Sequence, residues 1–69
     1  MDDRDVRWAA NSMIRLFGPG AAMEAAMMAD KMQARKDAEG IDLWQRVTSA
    51  IRELDKREAR RELEQHANH

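Results

Sequence analysis

Cysteine and tyrosine are absent, phenylalanine and proline each occur once, and glycine occurs three times in 69 residues. Without cysteine there is no disulfide and no thiolate metal site, and a reducing compartment is permitted. Ser12 and Ser49 fall beside no histidine in any helical register, so the nucleophile–base pair of covalent catalysis is missing. No uninterrupted apolar run approaches the ~20 residues that span a bilayer. The opening Met1-Asp2-Asp3-Arg4 is acidic where a signal peptide is basic, and no apolar stretch follows it. The expectation is a soluble, cytoplasmic protein with no membrane segment.

Charge of one sign is also lacking. Residues 1–20 carry three acids and three bases, residues 21–40 four acids and three bases, and residues 41–69 six of each, for a net charge of −1. Affinity for phosphate backbones comes from clustered Lys and Arg, so this evenness counts against nucleic acid. A nucleic-acid-binding regulator remains the alternative function, through Arg52, Lys56, Arg57, Arg60 and Arg61. The interleaved acids Glu53, Asp55, Glu58, Glu62 and Glu64 oppose it. No glycine-rich phosphate loop follows a strand. His66 and His69 stand three apart near Glu62, but a structural or catalytic metal asks for three or four preorganised ligands. The sequence therefore predicts no enzyme, cofactor or metal.

What is present is helical periodicity. Residues 21–32 are almost entirely Ala and Met. At roughly 100° per residue, Ala22, Ala25, Ala26 and Ala29 share one side, while Met23, Met27 and Ala34 share another. A helix apolar around most of its circumference is buried on more than one side, so both faces are expected in the core. The Ala face permits close backbone approach, and the Met stripe adapts to irregular neighbours. Asp30 is expected at the solvent edge.

Before this helix, Val6, Ala9, Ala10, Met13, Ile14 and Phe17 recur at helical spacing behind Asp2, Asp3 and Asp5, which suit a helix start. Gly18 is a natural left-handed stop and Pro19 a natural first helical residue, so Gly18-Pro19-Gly20 reads as a tight turn. Asp37 and Asp42 both suit the next N-cap, Asp42 with Gln45 as in a capping box. Asp37 is favoured. It places Gly40 in the first turn on the face of Trp44, where a missing side chain lets the third helix press against the second. Trp44, Val47, Ile51 and Leu54 continue that face, flanked by Leu43 and Ala50.

Beyond Leu54 the same face would run through Glu58, Arg61 and Glu62, so the remaining stretch cannot share the core. Pairs such as Glu53/Arg57 and Glu58/Arg61 favour helix in it. The expected fold is all-α: a small three-helix up-down-up bundle, about 3–17, 20–36 and 38–56, with a charged helical C-terminal extension. Residues 1–56 form the domain, and 57–69 a frayed or disordered tail.

The skeleton Ala10, Met13-Ile14, Phe17-Gly18, Ala21-Ala22, Ala25-Ala26, Asp37, Gly40, Trp44, Val47, Ala50-Ile51 and Leu54 spans residues 6–54. It resembles a group of short alphaproteobacterial helical proteins of unknown function. The resemblance implies the helical fold and supplies no activity or site.

Trp8 lies opposite Val6, Ala10, Met13 and Phe17, in a stripe with Arg4, Asn11, Ser12 and Arg15. Trp beside Arg is the composition of an interface hot spot. A cation–π contact to Arg4 is the simpler use of the same residues. A chain this short buries only ~60% of its unfolded surface alone. The expected function is thus a protein–protein interaction module that self-associates, as a homodimer or with a protein partner. Trp8, Arg4, Arg15 and Met28 are the candidate interface.

Overall fold

The computed structural model describes residues 3–67, with side chains through Gln65. It is all-helical, and no strand occurs among the described residues. The helical backbone forms two uninterrupted runs. In the first, α1 (Asp3–Phe17) passes through a 3-10 turn at Gly18–Gly20 directly into α2 (Ala21–Ala34). The second run is α3 (Ala38–Ala67). This corrects the expectation of three separate helices. Gly18-Pro19-Gly20 forms a single 3-10 turn, in which Pro19 has no N–H to donate and the Ala21 N–H donates to the Gly18 carbonyl.

Gly18 takes φ +56, the left-handed conformation that turns the chain back at little cost only for glycine. The second break is a Schellman arrangement. Lys36 N–H donates to the Gln33 carbonyl at 3.0 Å, Asp37 N–H donates to the Met32 carbonyl at 2.9 Å, and Lys36 is left-handed at φ 57. The Asp37 carboxylate then accepts from the Gly40 N–H at 3.0 Å, capping α3. Asp42 caps nothing; its carboxylate meets Arg46 one turn on, at 3.0 Å.

The core is small and drawn from all three segments. Val6, Ala10 and Met13 of α1, Ala21 and Ala25 of α2, and Val47 and Ile51 of α3 are buried together, with Ile14, Ala22, Leu43, Trp44 and Leu54 packed around them. A Cβ built on Gly40 would lie 2.7 Å from Met32 Sδ and 2.9 Å from an Asp37 carboxylate oxygen. The missing side chain is therefore what admits Met32 of α2 against the start of α3. Thr48 is buried as well, and its hydroxyl donates back to the Trp44 carbonyl at 2.7 Å.

Two core expectations are corrected. Met23 and Met27 are exposed, because α2 turns its Ala face inward toward both neighbours and no segment covers the opposite side. Phe17 is exposed as well, being the last α1 residue before the turn, past the end of the packed core. Asp30 is exposed, as expected. The charged C-terminal extension is helical, as expected, and continuous to Ala67, and from Asp55 to Gln65 each side chain faces solvent. Asn68 and His69 lie outside the described residues.

Candidate functional site

Burial of Val6, Ala10 and Met13 fixes the rotation of α1 about its axis. Trp8, two positions from Val6 and so about 200° around the helix, is driven to the outer side. It is 73% exposed, and Leu16, two turns further along, is 74% exposed. Trp8, Ser12 and Leu16 form an i, i+4 row along the outer side of α1, the half-covered Ser12 between two open apolar groups. Arg15 borders this row on one flank and Asp5 on the other, while Arg4 stands one turn before Trp8 in the row itself, all exposed. Arg4, Trp8 and Arg15 are thus together on α1. Met28, the fourth expected interface residue, is on α2 and half-covered.

Leu16 escaped the sequence reading, although its position i+8 from Trp8 placed it in the same row. Met23 and Met27 make a second exposed apolar strip on α2, bordered by Asp30 and Lys31, and Leu63 is a lone exposed leucine on α3. The wheel position of Met23 and Met27 was readable; the absence of a covering helix was not.

The remaining surface offers little chemistry. Open grooves follow the seams between segments, one of about 460 Å³ lined by Asp3, Val6, Asp42, Gln45, Arg46 and Ser49. In it Asp42 and Arg46 neutralise each other. A neighbouring groove places Arg7 and Asn11 beside Ala50, Leu54 and Arg57, so α1 and α3 run in the same direction. Ala26 and Ala29 lie beside Gln45, Ser49 and Arg52, while Met32 lies at Gly40, so α2 runs the opposite way.

Among the described residues no cluster of three His, Asp or Glu could hold a metal ion, and no buried polar side-chain atom lacks a partner. Every described Asp, Glu, Lys and Arg is exposed except Glu24, which is half-covered. None sits in the dry, low-dielectric setting that prepares a group for acid–base work. No helix of the described residues is long and apolar enough to cross a membrane. Comparison with family models, with curated proteins and with solved structures gives no match.

Proposed function

We propose that this chain is a small helical interaction module that associates with itself and carries no catalytic machinery, its packing unit an up-down-up arrangement of α1, α2 and α3. The observation that carries the reading is the Trp8–Ser12–Leu16 row, with two large apolar side chains about three-quarters exposed beside Arg15. Trp and Arg are enriched among the few central residues that carry most of the binding energy of a protein contact, where the surrounding contacts exclude water. A lone exposed leucine asks for no explanation; a Trp–Leu row with an arginine flank does.

Analytical ultracentrifugation over a concentration series tests the reading. Dimer at micromolar concentration is expected. A strict monomer, folded at high micromolar concentration, would remove self-association. Retention of duplex DNA at low salt by a monomeric protein would favour the arginines of α3 as the working surface instead.

A further inference from the structure

The chain is extended for its size. Its accessible surface is 5793 Å². A compact monomer of this mass exposes ~4,450 Å², so the surplus is about 1,300 Å². Its radius of gyration is 14.0 Å, against ~11 Å for a compact chain of this length. The surplus exceeds the roughly 800 Å² per partner that a standard interface covers.

The cause is the overhang of α3. Leu54 is the last α3 residue packed on the core, yet the helix continues to Ala67. Those thirteen residues add about 20 Å of solvated helix at 1.5 Å per residue. The face that carries Val47, Ile51 and Leu54 toward the core continues into Glu58, Arg61 and Glu62, all exposed, with Asp55 at its edge. Acids outnumber bases on this stripe, which stands where the core ends. The Trp8 row of α1 has the opposite sign on its nearer flank, through Arg15 at its C-terminal end. The exposed strip on α2 has no such bias, because Asp30 and Lys31 cancel.

Resting on the self-association proposed above, we propose that the occupant of the Trp8–Ser12–Leu16 face is the overhang of α3 from a second copy, with its Glu58 and Glu62 stripe against Arg15. In a two-fold dimer each copy's overhang meets the other copy's α1. Such a contact is isologous, so it forms twice and each copy both gives and receives a strap. The apolar part of the contact is Trp8 and Leu16 beneath the overhang, and the acid–base pairing sets its register.

Sedimentation equilibrium of the full chain, with point variants at exposed positions, decides the matter. Arg15→Glu alone, and Glu58→Lys with Glu62→Lys, should each weaken dimerisation about tenfold or more, the scale of like charges brought together across an interface. Combining all three substitutions should restore dimer formation, which a variant that merely misfolds would not do. Met27→Lys, on the α2 strip, should leave the dimer constant within about twofold. Dimerisation unchanged by either charge reversal, or abolished by Met27→Lys alone, would overturn the strap while leaving self-association intact. A parent chain that stays monomeric throughout would overturn both.

Discussion

Lys36 occupies a left-handed conformation, φ 57, in which an L side chain crowds its own carbonyl. The Schellman bonds around it hold the conformation, and glycine would adopt it more readily. Lys36→Gly should raise stability by about 0.5–1 kcal/mol, the gain from relieving the side chain less the added freedom of the unfolded chain. Urea denaturation would measure it, and a lower midpoint would show that Lys36 contributes a contact outweighing the strain. Next to it, Asp37 receives the Gly40 N–H at 3.0 Å. Asp37→Ala should cost about 1 kcal/mol by orphaning that donor at the helix start; an unchanged midpoint would mean that water replaces the cap. Only the cap was written in the sequence. Gly40 marked a close approach of α2, though not Met32 as its contact, and the Asp37 cap follows from local chemistry three residues long. The left-handed Lys36 does not, since nothing in the residue type asks for that conformation and only the Schellman bonding imposes it.

At the scale of elements, α1 and α3 were legible because each has one apolar stripe and one polar side. Val6, Ala10 and Met13, and Val47 and Ile51, could face only one way. α2 has no such asymmetry: Ala and Met cover opposite sides, and periodicity cannot say which side a neighbour will occupy. Packing chose the Ala side, because small side chains let two other segments approach closely, and Met23 and Met27 were left in solvent. The exposed apolar row on α1 was legible at Trp8 and missed at Leu16. The end of the core at Leu54 was legible too, from the acids that follow, while the persistence of helix to Ala67 rests on local helix formers rather than on packing. Removing residues 58–69 should therefore change the stability of the dilute, monomeric protein by no more than roughly 0.5–1 kcal/mol, as exposed substitutions do. Circular dichroism melts of the two lengths compare them directly. A shortened chain that fails to fold when dilute would mean that the overhang supports its own core.

Across the whole molecule, the small core and the surplus surface have one common consequence. Seven apolar residues are buried together, four of them Ala or Val in α1 and α2, a modest drive for a chain that must order 69 residues. If a second copy covers the outer face of α1, folding and association share their free energy, and mass action ties the melting temperature to concentration. For a dimer of this size that melts to unfolded chains, each tenfold rise in concentration should raise the midpoint by about 3–5 °C. Glu58→Lys with Glu62→Lys should flatten this dependence without lowering the midpoint of the dilute protein, since neither glutamate touches the core. Scanning calorimetry from about 10 to 1,000 μM covers the range in which mass action would be visible. A midpoint that does not move across it would mean that the seven-residue core holds the fold alone, and that the overhang of α3 has no part in its stability.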